Sequence, residues 1–150
     1  MRRPSLPSPK LRHLWWIPGL GVAVAANQLT GLHGHGLGPI LAFGIAPHLP
    51  VLLGRGQPHE PGQLPRRIVP LFNVTHHPLG PIVLGLVAAV GLVSSVWLVG
   101  ALAWLSHIVI DWALGDGLRT PDGFVVTHSI WAGRPFRPAA PAVAAEAGRA

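Results

Sequence analysis

Two stretches of about forty residues, His13 to Gly54 and Ile68 to Ile110, contain no Lys, Arg, Asp or Glu and are built mainly from Leu, Val, Ile, Ala and Gly. A helix needs about 20 apolar residues to cross a bilayer, so each stretch predicts two helices and a tight turn. The first divides at the Gly-rich run Gly31 to Gly36, giving spans from about Leu14 to Thr30 and Leu37 to Leu53. The second divides at Ser94 and Ser95, giving spans from about Leu71 to Val93 and Val96 to Leu114. The expected fold is all-α, a polytopic membrane protein with four transmembrane helices. Both halves carry a proline-interrupted span, Pro39, Pro47 and Pro50 in one and Pro78 and Pro81 in the other. Such breaks free backbone groups, which a bilayer tolerates only where they face protein or a wet cavity.

The placement of charge turns these spans into a topology. Arg2, Arg3, Lys10 and Arg12 precede the first span, Arg55, Arg66 and Arg67 lie in the central loop, and Arg119, Arg134, Arg137 and Arg149 follow the last. Basic residues accumulate on the cytoplasmic side, so both termini are expected inside and the two outer turns are uncharged. Trp15, Trp16 and Trp112 then fall at the inner interface and Trp97 at the outer one, where amphipathic rings collect. The expected location is the bacterial cytoplasmic (inner) membrane, with the lipid bilayer as partner. A basic cytoplasmic N-terminus (1–13) precedes a membrane domain (14–131), and a Pro/Ala-rich tail (132–150) reads as disordered. The start also fits a signal peptide, since small residues at Ala23 to Ala26 follow an apolar run. Retention of the first span is expected, because only about ten residues separate Asn27 and Gln28 from the next apolar run.

The net charge of +6 does not indicate nucleic acid, because the basic residues are scattered through the flanks rather than clustered. They read as a topology signal and a contact for anionic lipid. With no cysteine there is no disulfide framework and no thiolate site, so any metal is held by imidazole, carboxylate or backbone oxygen. Gly85, Gly91 and Gly100 offer close-packing positions for a homo-oligomer.

The ionisable groups are unevenly distributed over this topology. His48, His76, His77, His107 and Asp111 all fall in the inner half, and His128 follows in the cytoplasmic segment, whereas His33 and His35 belong to the other side. His107 and Asp111, four apart, share a helix face. That spacing suits two ligands of one ion, a carboxylate orienting an imidazole, or a hydrogen bond that locks helices together. Ionisable groups inside spans are costly, and His48 and His76 arrive at similar depth from two further helices. The candidate metal ligands are therefore His48, His76, His107, Asp111 and His128, with Zn, or Mn or Fe, as the ion. His107 and Asp111 are the candidate catalytic pair, Asp111 as ligand or general base of a metal-dependent hydrolase. Two non-enzymatic readings use the same residues, a structural polar cluster and a proton-coupled transporter, although the outer half offers only Asn27, Gln28 and Thr30 to continue a proton path.

The stretch from Leu105 to His128 resembles the signature of a family of small bacterial integral membrane proteins, the domain of unknown function DUF4260. The matching positions are His107, Asp111, Gly115, Gly117, Leu118, Arg119, Gly123, Phe124, Thr127 and His128. Phe72-Asn73-Val74-Thr75-His76 resembles the family's aromatic-Asn-x-x-His element. Ala46-Pro47-His48-Leu49 resembles its Pro-Asp-Leu element, with His48 where the family usually has Asp. The likeness extends over about residues 11 to 131 and implies a four-helix membrane domain without an assigned activity. A more distant likeness, in Thr127-His128-Ser129 and the His107/Asp111 spacing, is to membrane-bound metal-dependent hydrolases. Gly115 is expected to end the fourth span, and Thr120-Pro121-Asp122-Gly123 to form a turn, after which Phe124 to Trp131 either folds back as a lid carrying His128 or forms an interfacial helix or strand anchored by Phe124 and Trp131.

Overall fold

The computed structural model describes residues 13–125. The basic N-terminus before His13, the tail from 132 to 150 and the lid beyond Val125, with His128, lie outside the described residues.

Six α-helices make four rods. Helix α1 spans Trp16–His33; α2 (Gly38–Ile45) and α3 (Leu49–Leu53) are joined by the 3-10 turn Ala46–His48; α4 (Val69–Thr75) and α5 (Leu79–Ala89) follow one another; α6 spans Ser95–Leu114. Among the described residues there is no strand, only one isolated antiparallel bridge between Arg119 and Val125. The described residues are all-helical, as expected. Two of the rods, Arg66–Ala89 and Ser95–Leu114, are long and apolar enough to cross a membrane, and Gly38–Leu53 is apolar but shorter.

The prolines sort by position. Pro39 lies in the first turn of α2 and Pro81 in the first turn of α5, where a missing N–H costs nothing, so neither interrupts its helix. Pro78 does interrupt: it has no N–H to continue the ladder and disfavours helical backbone at His77, so α4 stops at Thr75. The third rod, read from sequence as a proline-interrupted span from about Leu71 to Val93, is therefore two helices, with the break at Pro78 alone, and it ends earlier, at Ala89. The turn to α6 passes through Gly91, whose φ of +79° is left-handed.

Helix α6 is the axis of the bundle and packs on α1, α2 and α5. Its buried positions are mostly small, Gly100, Ala101, Ala103, Ser106 and Ala113, which lets neighbouring backbones approach. The Ser106 hydroxyl donates to the Gly19 carbonyl of α1 at 2.9 Å. Gly100 is filled from outside: a Cβ there would stand 2.6 Å from the Phe43 ring. Gly85 likewise faces Ala101. Gly85 and Gly100, read from sequence as positions for contact between copies, instead serve helix packing inside the chain. Large apolar side chains point outward along the first three rods, among them Ile17, Leu20, Leu41, Ile45, Leu79 and Leu86, whereas on α6 only Trp97 and Leu114, near its ends, are exposed.

Past α6, Gly115 adopts φ +96° and caps the helix by donating to the carbonyls of Asp111 and Trp112, as its place in the sequence predicts. The turn at Thr120 to Gly123 also forms, with Gly123 N–H donating to Thr120 O and Thr120 N–H to Phe124 O, both at 2.8 Å. This hairpin lies against the central loop, where Leu64 N–H donates to Gly123 O at 2.9 Å and Arg66 pairs with Asp122 at 3.1 Å.

Candidate metal centre

Each rod but the first delivers donors to one place. His48 ends the 3-10 turn of the second rod, His76 caps the end of α4, and His107 and Asp111 stand one turn apart on α6. One ligand-capable atom from each of these four residues lies within 4.8 Å of all the others. The Nε2 atoms of His76 and His107 approach the same carboxylate oxygen, Asp111 Oδ2, at 3.4 and 3.3 Å. His48 Nδ1 lies 2.8 Å from His107 Nε2, so a single proton serves that contact. His77 is exposed, its Nδ1 taken by the Leu79 N–H, and does not join the group.

The proton positions follow from the partners. His76 Nδ1 is 2.9 Å from the Phe72 carbonyl oxygen and must carry the hydrogen for that contact to be a bond. A neutral His76 then presents a bare Nε2 lone pair to Asp111 Oδ2. Both atoms are buried and neither has a hydrogen-bond partner. Two acceptors facing each other out of water carry the full penalty of unpaired polar groups, unless a proton or a cation sits between them. Their surroundings are closed, with His76, Asp111 and His107 side chains 2, 10 and 14% exposed, while His48 is exposed and forms the open side.

Donor geometry agrees with a cation. Tetrahedral Zn with bonds of 2.0 to 2.1 Å separates its ligand atoms by about 3.3 Å. The two Asp111 contacts already have that length, and all four ligand atoms lie within 4.8 Å of one another. The Nδ1 bond of His76 to a backbone carbonyl is the outer contact that fixes tautomer and ring orientation in imidazole ligands.

Supporting contacts hold His76 from behind. Its ring stacks on Phe72, centroids 3.7 Å apart and planes 13° from parallel, and the Arg119 guanidinium lies 5.5 Å from the centroid of that Phe72 ring. Asn73 fastens the two halves of the site: its side chain accepts from Arg119 N–H at 2.7 Å and donates to Arg119 O at 2.8 Å. Arg119 also donates to Asp116, at 2.6 Å, and to Gly62 O. A groove of about 180 Å3, lined by Phe43, Ala46, Pro47, Thr75 and Trp104, adjoins the cluster.

Of the five expected ligands, the fold brings four together, and the fifth, His128, lies outside the described residues. His33 and His35 stack on one another at the other end of the bundle, where His35 meets Ser95 at 2.8 Å. Sequence reasoning did not find the Asn73–Arg119 latch or the Phe72–His76 stack. Phe72 and His76 are four apart, a spacing that allows both the carbonyl contact and the ring contact, so a signal for the second was present.

Residues 66–130 match the family model described as Domain of unknown function (DUF4260). Over this stretch the chain is similar to DUF4260. Asn73, His76, His107, Asp111 and Arg119 all lie within the matched stretch; His48 is upstream of it, where the match does not reach. No curated protein and no solved structure matches the chain.

Proposed function

We propose that this protein is a four-span protein of the bacterial inner membrane, with both termini cytoplasmic and a divalent metal centre of hydrolase type in the cytoplasmic half. The ligands are His48, His76, His107 and Asp111, with His128 available as a further donor. The membrane reading is supported by the outward-pointing apolar side chains on the three rods around α6, by two rods long and apolar enough to cross a membrane, and by the restriction of basic residues to segments outside the α-helices. The observation that carries the metal reading is the buried, unpartnered pair His76 Nε2 and Asp111 Oδ2, with two more imidazoles in reach.

When bound, such an ion supplies Lewis acidity and a water acidified to about pKa 7. His76, locked through Nδ1, is the rigid ligand, and Asp111 contributes the negative charge. His107 and His48 would complete the shell, His107 from the enclosed side and His48 from the exposed one. Candidate substrates are small or lipid-derived molecules that reach the open His48 side.

Metal content of the detergent-purified protein, measured by mass spectrometry beside His107→Ala and Asp111→Ala at matched monodispersity, tests this. About one Zn, Mn or Fe per chain, lost in both variants, is expected. No ion in any of them after metal has been supplied would instead favour a structural polar cluster. The His48–His107 contact, which ties the second rod to the fourth, is the specific observation in favour of that second reading.

A further inference from the structure

The charge of the donor set is incomplete. Three neutral imidazoles contribute nothing and Asp111 contributes minus one, so a divalent ion would leave one positive charge uncompensated. In a site as buried as His76 and Asp111 make this one, such a charge is costly unless an anion joins it. The matching ligand is a monoanion that enters beside His48, since the other three groups are enclosed.

The groove tells what should be attached to that anion. Trp104, His107 and Asp111 are spaced three and four residues apart on α6, so the groove begins one helical turn, about 5.4 Å, from the ligands on the same face. Its two polar side chains are spent elsewhere. The Thr75 hydroxyl is engaged with the carbonyls of Phe72 and Pro47, and the Trp104 indole N–H donates to Thr75 O at 2.6 Å. What remains facing the groove is carbon. At about 180 Å3 it exceeds the roughly 150 Å3 apolar cavity that admits benzene, room for a run of about seven methylenes, and it is open on one side for a chain to continue.

We propose that the centre binds a long-chain fatty carboxylate dissolved in the bilayer, its carboxylate completing the metal shell and its chain lying in the groove of Phe43, Ala46, Pro47, Thr75 and Trp104. This rests on the metal reading above. It gives that site a substrate or product class, a fatty acid or the acyl group that yields one.

The test uses the full chain in nanodiscs, loaded with zinc, with labelled palmitate as the probe and zinc content measured on the same samples. Saturable binding of about one palmitate per zinc is expected, with hexadecanol and acetate competing at least tenfold more weakly. Ala46→Phe fills the groove at an exposed position without touching a ligand, so it should weaken palmitate at least tenfold while zinc stays constant. Ala46→Leu gives the same result in smaller degree if the Phe variant is not monodisperse. Asp111→Asn should lose both. Zinc without palmitate binding, equal binding in both Ala46 variants, or hexadecanol as good as palmitate each overturns the proposal and leaves the metal centre standing; absence of zinc from the wild-type protein overturns both.

Discussion

Asp111→Asn should change the stability of this protein in opposite directions with and without metal. In chelator, the wild-type carboxylate oxygen Oδ2 faces the bare Nε2 of His76 at 3.4 Å with no donor between them. An asparagine amide in the same place can donate to that nitrogen, which pairs one buried acceptor and removes the other. A net hydrogen bond is worth about 1 kcal/mol, and relief of an unsatisfied buried group adds about as much again, so a gain of about 1 to 2 kcal/mol follows. For a chain of this length that is roughly 3 to 6 °C in Tm. In zinc at 100 times its Kd the wild-type protein gains about 2.7 kcal/mol, roughly 5 to 10 °C, whereas the variant, short of its charged ligand, gains little. The order of the two proteins therefore reverses. Intrinsic tryptophan fluorescence during heating in detergent reads this directly, because the chain has six Trp and Trp104 stands next to the site. A variant less stable than wild type in both buffers would refute the reasoning, since the carboxylate would then be a satisfied partner of the imidazoles rather than part of an incomplete ligand set.

Three further outcomes are expected. Gly123→Ala should destabilise by about 1 to 3 kcal/mol and expose the central loop to protease, because the residue has φ +90° and an added Cβ would collide with the Leu64 carbonyl. Asn73→Ala strips both hydrogen bonds from the Arg119 backbone, so thermal denaturation should show a loss of about 1 to 3 kcal/mol, together with weaker metal retention as His76 loosens. The chain has no cysteine, so single cysteines report sidedness cleanly: in right-side-out vesicles an impermeant thiol reagent should label Leu92→Cys and spare Arg67→Cys, and the opposite pattern would invert the topology.

The four rods were legible because charge avoidance is a coarse signal that survives any local irregularity; Arg55, Arg66 and Arg67 mark the central loop without knowledge of a single contact. The turns at Gly115 and at Thr120 to Gly123 were legible for another reason, since glycine in a left-handed conformation has few substitutes. Four members of the cluster could be gathered from helix depth alone. What could not be read was rotation about the helix axes. Depth places Gly85 and Gly100 near the middle of their helices, but only the packed structure shows Phe43 and Ala101 against them rather than a second copy. The same blindness hid what Asn73 does, since its partner is a backbone 46 residues away.

Two of the three histidines in the cluster sit at the two places where a rod departs from regular α-helix, and this coincidence has a physical basis. Pro78 ends α4 immediately after His76, so the imidazole can fold back on the Phe72 carbonyl, an oxygen that also accepts from the backbone N–H of His76. Pro47 and Pro50 bracket His48 and keep its turn 3-10, which aims the side chain toward α6 instead of continuing the outward face of α2. Both breaks are turned toward α6, an unbroken helix that carries His107 and Asp111 one turn apart. A purely structural polar cluster would need no such breaks, since side chains on unbroken helices can hydrogen-bond across a bundle. Here two proline-set interruptions converge on a regular His/Asp face, and the unpaired Nε2 and Oδ2 lie where they converge.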